Sequence, residues 1–507
     1  MRITNWEINE FEDTREIAAE IDGFRLWFRL PKSYSVSRAG DPFLAAALLP
    51  AMLRGEKLVV DPRLSVSPKL LKNLSVLQEI HHTWNPVFKI IPIDATTRPS
   101  DPVNSGAMSF FSGGVDSTYT FLKRMDDISH LVFIQGIDFY ASNEVASTFS
   151  TADFGDLSQF AYKLRHPADA VSAFLSSMLS ETTSRALQDY EGPGSGVGTL
   201  EASLAEDLKR VIDGEPIYDS SRFAGVKLRS ETKQLLGQPS TRGSQSSLNR
   251  FLLEDAYPIE IARRNSAIYQ TAIERNTLFA QGFKKTLIPL GTNHYPFGYR
   301  YNLSRNLTQG SVLASVALLL GFPRAFVPGA YSYSQLIPLG SHPLTDPLYS
   351  TEGVEIIHDG AEARRVDKVV KIAESPLALS NLRVCFEDMN INCGECAKCL
   401  RTTIPLQLLS VPSPPFPSFP SLAAIKSMRI ANDIEMIFFQ ENYEFAERTG
   451  NNALRDTLHA CLRRYERVQL LKKIDEVLLG GLIKRRYQRG REMHSGLYRI
   501  NTIPPKN

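Results

Sequence analysis

The sequence predicts an α/β protein built on a doubly wound parallel sheet, with a small α+β region ahead of it and helices behind it. Three observations carry this expectation. GAMSFFSGGVDSTYTFLKRM (106–125) reads as a short buried strand, a glycine turn and a helix with Tyr119, Phe121, Leu122 and Met125 on one side. HLVFIQGIDFY (130–140) is the near-continuous apolar run of a strand covered on both faces. After residue 262 helices and strands alternate again: helix 263–281, strand 285–291, helix 309–321 and strand 324–329.

Taken in order, EIAAEIDGFRLWFRL (16–30) reads as two alternating strands around the turn pair Asp22 and Gly23. KLVVDP (57–62) and FKIIPI (88–93) read as strands. Ser67 followed by Pro68 opens a helix whose apolar face is Leu70, Leu71, Leu74, Leu77 and Ile80. This makes residues 1–100 an N-terminal α+β domain, in which His81 and His82 lie at a helix end. The sheet domain is expected at 105–140 and 263–383. Between its parts, 141–262 loses the α/β rhythm and carries EGPGSGVG and QPSTRGSQSS, so it reads as a helical insertion. Its Lys227, Arg229, Lys233, Arg242 and Arg250 suit a solvated face better than a nucleic-acid contact. A four-cysteine segment (384–410) and a proline-dense linker (411–420) follow. A C-terminal helical region and tail (421–507), carrying KRRYQRGR, closes the chain. No internal repeat is visible.

The 507 residues leave room for several cores, and 43% apolar with 22% charged residues is ordinary for a globular chain. A formal charge of +2 argues neither for nor against a nucleic-acid partner. The longest apolar runs, FLAAALLPAML and SVLASVALLLGF, fall short of the roughly 20 residues that span a bilayer. MRITNWEINEFED does not resemble a secretory signal, and four of the five cysteines cluster, unlike a disulfide scaffold. These features together predict a cytoplasmic protein with no membrane contact.

Strand, glycine turn and helix is the arrangement that aims backbone N–H groups and a helix dipole at an anion. In Ser112-Gly113-Gly114-Val115-Asp116-Ser117 the glycines let phosphate oxygens approach the backbone, and the two serines add hydroxyl donors. Asp116 can hold a magnesium ion or cap the helix. No GK[ST] follows, so this is not a Walker A loop. In an open parallel sheet ligands sit beyond the carboxyl ends of the strands. That places Gly136 to Asp138, Gly291 to His294, and the loop from Tyr331 to His342 near any ligand.

Cys385, Cys393, Cys396 and Cys399 stand as C-x7-C-x2-C-x2-C. Two residues between thiolates let a tight turn aim both at one metal, and Gly394 permits the backbone such knuckles need. Four thiolates without histidine favour tetrahedral zinc, closed to water and therefore structural. An iron–sulfur cluster and a redox dithiol are the competing readings, and visible absorbance separates the first from zinc. Cys461 stands apart among arginines as an unpaired thiol.

SGGVDS resembles the phosphate loop of the PP-loop (N-type) ATP pyrophosphatases. Together with the downstream C…CGECAKCLR it resembles the 7-cyano-7-deazaguanine synthases, over roughly 105–140 and 263–410. LIPLGSHPLTDPLYSTEGVEIIHDG (336–360) is similar to a larger subgroup, some of whose members are linked to bacterial anti-phage defence operons. The resemblance implies an adenine nucleotide alpha hydrolase-like fold with ATP, Mg2+ and Zn2+ as cofactors. It implies an ATP-dependent carbon–nitrogen ligase reaction, in which a carboxylate attacks the α-phosphate and the acyl group passes to an amine. Ser112, Gly113, Gly114, Val115, Asp116 and Ser117, with Asp138, would serve ATP; Asp116 and Ser117 are the catalytic candidates, and the four cysteines would serve zinc. Arg401 matches the basic residue after the last cysteine. The acidic Asp-Cys-Arg substrate segment of the synthases has no clear counterpart, because GSHPLTDPLYS occupies that region. The substrate-side candidates are therefore His294, His342, Asp346, Ser350, Thr351, Glu352, His358, Asp359, Arg383 and Arg401. The expected substrate is a small carboxylate or a protein carrying it, with partner surfaces on the N-terminal domain or the insertion. A nucleotide-binding scaffold and a tRNA-modifying enzyme are the alternatives.

Overall fold

The computed structural model describes residues 1–136, 257–301, 303, 305–385, 391–412, 415–430 and 433–478. Asp138, most of the expected insertion and KRRYQRGR lie outside the described residues.

The chain begins with an antiparallel meander of β1 (Arg2–Glu10), β2 (Thr14–Ile21) and β3 (Phe24–Pro31). The expected β2–β3 turn is present, with Asp22 (φ 48°) and Gly23 (φ 76°) both left-handed, as a two-residue hairpin loop requires. β1 was not anticipated: Ile3 is buried while Arg2, Asn5 and Glu7 are exposed, and a register shift between Thr4 and Glu7 breaks the alternation that would have marked a strand. The apolar run that is too short for a membrane is α1 (Asp41–Arg54), buried from Pro42 to Met52 and ended by left-handed Gly55. β4 (Leu58–Val60) and β5 (Ser65–Val66) follow. In α2 (Pro68–Trp84) the Ser67 side chain accepts from the Leu70 N–H, as the Ser-Pro signal predicts.

The strand expected over 88–93 is corrected to β6 (Ile93–Asp94), with β7 at Thr96–Thr97. Its donors go elsewhere: Lys89 N–H bonds to the Met52 carbonyl, Ile91 N–H to Gln78 Oε1, and Pro92 has no N–H.

The parallel part starts with β8 (Ala107–Phe110), α3 (Val115–Lys123) and β9 (His130–Gln135). It resumes with α4 (Tyr257–Gly282), β10 (Thr286–Thr292), α5 (His294–Arg300), α6 (Arg305–Leu320) and β11 (Arg324–Pro328). β12 (Glu355–Asp359) completes the parallel set. His358 and Asp359, expected at a turn before Gly360, instead pair in parallel with Val327 and Pro328 of β11. Behind them come α7 (Arg365–Ala373), α8 (Pro376–Asn381), α9 (Ala397–Leu408), α10 (Leu422–Ser427), α11 (Asp433–Arg448) and α12 (Asn452–Leu478).

One ten-stranded sheet runs in the order β12-β11-β8-β9-β10-β3-β2-β1-β4-β6. Its first five strands are parallel neighbours, and β3 joins them antiparallel through Gly291↔Arg29 and Thr292↔Phe28. Asn293 extends that seam with its side chain, accepting from Trp27 N–H and donating to the Arg25 carbonyl at 2.8 Å each. One apolar core therefore crosses residue 100 without a gap, joining Ile17, Phe28 and Phe43 to Val132, Leu290 and Val316.

The strands are buried on both faces, which explains their unbroken apolar runs. Met108, Phe110, Val132 and Ile134 meet α1 and α6 on one face; Ala107, Leu131 and Phe326 meet α3, α4 and α7 on the other. Along the parallel set the chain moves from β8 outward to β10, then returns to place β11 and β12 on the other side of β8. The reversal lies between β8 and β11, and the glycine turn after β8 sits at it.

Candidate functional site

Phe111 N–H bonds to the Val132 carbonyl, carrying the ladder one residue past β8 before the chain turns. Gly113 then takes φ +77°, and a Cβ there would fall 3.1 Å from Asn276 Oδ1, so the position demands glycine twice over. The serine hydroxyls turn inward. Ser117 Oγ donates to the Gly114 carbonyl at 3.2 Å and accepts from Ser112 N–H at 3.3 Å, with Ser112 Oγ 3.4 Å away. They knit the loop rather than stand out from it. Gly114 occupies the N-cap of α3 and supplies no side-chain cap to the first-turn N–H groups.

Four side chains that sequence reasoning did not single out together ring this turn. Asn276 and Arg275 come from α4, Asn381 ends α8, and Arg383 follows it, its N–H bonded to the Gly113 carbonyl at 2.8 Å. Of these only Arg383 was a candidate from the sequence. Arg275 Nε and Asn276 Nδ2 are buried without a hydrogen-bond partner among the described residues. Burial, then the charge of Arg383, pushes the Arg275 guanidinium down to about 10. A half-buried cation beside a second cation at a helix N-terminus is stabilised by an anion.

Asp116 sits in the first turn of α3. Its Oδ1 lies 3.1 Å from Lys368 Nζ and its Oδ2 3.1 Å from Arg365 Nη2, both from α7. Lys368 also donates to the Gly329 carbonyl at 2.6 Å, at the end of β11. Burial alone would raise the Asp116 carboxyl, but Arg365, Lys368 and the more distant Arg401 hold it below the usual carboxylate range. With both oxygens engaged by cations, Asp116 is not presented as a magnesium ligand, and no step is derived through that ion. Arg401 is buried in α9, pushed down to about 9 by desolvation and by Arg365.

The remaining candidates fall into a second group, below the end of β12. Asp346 accepts from His358 Nδ1 at 2.7 Å, Ser341 Oγ at 2.8 Å and His342 N–H at 3.2 Å. His342 packs edge-on against Trp84 of α2. Ser350 Oγ accepts from Ile356 N–H, and Thr351 Oγ1 from Val354 N–H. Glu352 reaches across to the N-terminus of α2, accepting from Ser67 Oγ at 2.7 Å and Lys69 N–H at 2.9 Å. These bonds fasten 341–356 to α2 and β12. Asp359 Oδ1 pairs with Lys123 at the end of α3 and with Arg124 just after it, while its Oδ2 is buried without a hydrogen-bond partner among the described residues. Gly329 links the two groups, for it leaves no room for a Cβ beside His358 Nε2 while its carbonyl holds Lys368. His294 stands apart: it opens α5, fully buried and pushed down to about 3 by that burial, with both ring nitrogens unpartnered among the described residues.

The four clustered cysteines converge as expected. Their Sγ atoms all lie within 4.8 Å of one another, with Cys385–Cys396 at 3.8 Å and Cys393–Cys399 at 3.9 Å. A tetrahedron of bonds of about 2.3 Å has sulfur–sulfur edges of about 3.8 Å, so the set fits zinc. Gly394 is left-handed at φ +80°, letting the Cys396 N–H reach Cys393 Sγ at 3.3 Å. Cys396 Sγ caps α9 by accepting from Cys399 N–H. Asn392 pins the approach: it accepts from Val384 and Cys385 N–H and donates to the Leu382 and Pro415 carbonyls. Burial pushes the Cys393 thiol up to about 11, and hydrogen bonds with Cys385 and Cys396 push Cys399 up, so four thiolates coexist only around a cation. Cys461 is separate, its Sγ on the Ile425 carbonyl.

Compared with protein-family models, curated proteins and solved structures, the chain matches none of them. Among the described residues no helix is long and apolar enough to cross a membrane.

Proposed function

We propose that the turn after β8 holds the phosphates of ATP, and that the protein is an ATP-dependent ligase-type enzyme of the 7-cyano-7-deazaguanine synthase kind. In that reading a substrate carboxylate attacks the α-phosphate, pyrophosphate leaves, and the acyl-adenylate passes its acyl group to an amine. The single observation that supports it most is the Gly113 cradle. It lies where the strand order reverses, at the start of α3, which has no side-chain cap, with Arg275, Asn276, Asn381 and Arg383 around it.

The chain's own groups suit the charge that develops. N–H groups of the α3 first turn and the Arg275 and Arg383 guanidiniums would stabilise the leaving pyrophosphate. Asp116 acts as an anchor that fixes Arg365 and Lys368 beside the reacting phosphate. No protein nucleophile is required, and the clustered thiols are committed to each other and their metal. Zinc at Cys385, Cys393, Cys396 and Cys399 would brace α9 and supply no reaction chemistry. Work in an anti-phage defence system is part of this proposal and rests on the sequence resemblance of 336–360.

The test is to incubate the protein with ATP, magnesium and deazaguanine carboxylates, free or protein-linked, and to measure AMP and pyrophosphate. The expected result is AMP release that Asp116→Ala abolishes. Nucleotide binding without turnover under every substrate would replace the enzyme by the scaffold.

A further inference from the structure

Arg401 poses a problem that the proposed chemistry does not use. It is only 7% exposed, yet its guanidinium makes no hydrogen bond or ion pair among the described residues. Five N–H donors on a permanent charge are costly to strip of water without an acceptor. Its Cζ stands 4.2 Å from the ring centre of Phe438, which stacks on Tyr331 at 5.8 Å. Arg365 shares the same ring at 5.2 Å and keeps Nε buried without a hydrogen-bond partner among the described residues. Lys368, fully buried, completes a group of three cations.

The facing carboxylates are already committed. Asp116 is divided between Arg365 and Lys368. Glu441 accepts from Val366 N–H and from Gln335 Nε2. Glu435 attracts Arg401 through space. Arg364 is paired with Glu444. Positive charge and unused donors therefore accumulate on the α7 and α9 side of Asp116, apart from the Arg275–Arg383 pair on the Gly113 side.

We infer that Arg401, Arg365 and Lys368 form a second oxyanion subsite beside the glycine loop. Its place in a reaction rests on the nucleotide reading above, in which the oxyanion is either the carboxylate of the acyl substrate or the leaving pyrophosphate. Phe438 holds the Arg401 fork ready, as a planar guanidinium on an aromatic face requires.

The experiment titrates two probes, inorganic pyrophosphate and benzoate, and separately ATP, into the full chain by calorimetry, and repeats this with Arg401→Met, Arg401→Lys and Gly113→Ala. Arg401→Met is expected to weaken one probe or both at least tenfold, with Arg401→Lys intermediate because it keeps charge without the fork. Loss of benzoate alone identifies the acyl carboxylate, and loss of pyrophosphate alone the leaving group. A second readout separates binding from structure. In probe-free buffer Arg401→Met should melt no lower than wild type, since it removes an orphan charge while keeping the stem against Phe438. A clear fall in the melting midpoint with unchanged binding overturns the subsite, and so does a wild-type chain that binds neither probe. If Met fails to fold, the Lys variant decides on the same criterion. ATP binding unaffected by Gly113→Ala sinks the loop reading instead and leaves the Arg401 result standing.

Discussion

The glycine loop and the cysteine knuckle are built alike and end differently. Each is a tight turn with one left-handed glycine, Gly113 or Gly394, leading straight into a helix. In the knuckle the turn's own side chains close the site. Cys396 caps α9, four sulfurs face one point, and Asn392 satisfies the backbone around them. In the loop the cap position is Gly114 and the serines bond inward, while buried donors of Arg275 and Asn276 have no hydrogen-bond partner among the described residues. A closed polar shell stabilises its own fold; an open one at a helix N-terminus is stabilised by what it binds.

The sharpest way to break this comparison is to remove the metal. Chelation, or Cys396→Ser, should abolish stoichiometric metal and unfold the segment around α9, because structural zinc contributes about 10–16 kcal/mol apparent to local folding. Metal analysis with thermal melts checks it, and a chain that melts unchanged after complete metal loss would refute a structural role.

Asp116→Asn comes next. It leaves Lys368 and Arg365 without their carboxylate and should cost about 2–4 kcal/mol, reduced from a fully buried pair because the Asp116 side chain is 20% exposed. The sign with pH follows from the depressed carboxyl. The stabilisation is present above the ordinary carboxylate pKa of about 4 and is lost as pH falls through the lower folded value. Denaturant titrations of wild type and variant should therefore converge only in strong acid.

Smaller effects separate the two glycines. Gly113→Ala and Gly394→Ala should each cost about 1–2 kcal/mol for a Cβ in left-handed backbone. A Cβ would meet Asn276 Oδ1 at 3.1 Å in the first and Pro417 at 3.3 Å in the second. The first should weaken ATP binding and spare metal content; the second should do the reverse. Cys461→Ala marks the lower end, with metal stoichiometry unchanged and at most about 1 kcal/mol lost from a buried thiol bonded to the Ile425 carbonyl.

The two sites differed equally in how readable they were. A metal knuckle is local: C-x2-C-x2-C with Gly394 states the ligands, their spacing and the turn in one short stretch, and the geometry follows. The glycine turn and the helix after it were readable for the same reason. Its surroundings were not. Arg275 and Asn276 sit mid-helix, Asn381 ends a helix and Arg365 and Lys368 begin one, so nothing in their local sequence separates them from solvated polar residues. The candidates drawn from 341–359 were polar for another cause, since most of them fasten that segment to α2 and β12.

What the sequence alone determined was the α/β rhythm, the β2–β3 hairpin, the Ser67 cap, the glycine turn after β8 and the clustering of four cysteines. Each depends on residues within a few positions of one another, where backbone geometry and side-chain period act directly. Only the tertiary structure decided that the N-terminal meander adds to the parallel sheet through β3 and β10, that Asp116 is clamped by two cations of α7, and that the Arg401 guanidinium is buried against Phe438 with no hydrogen bond or ion pair among the described residues. Those are outcomes of packing between distant segments, and burial sets the cost of every charge they enclose.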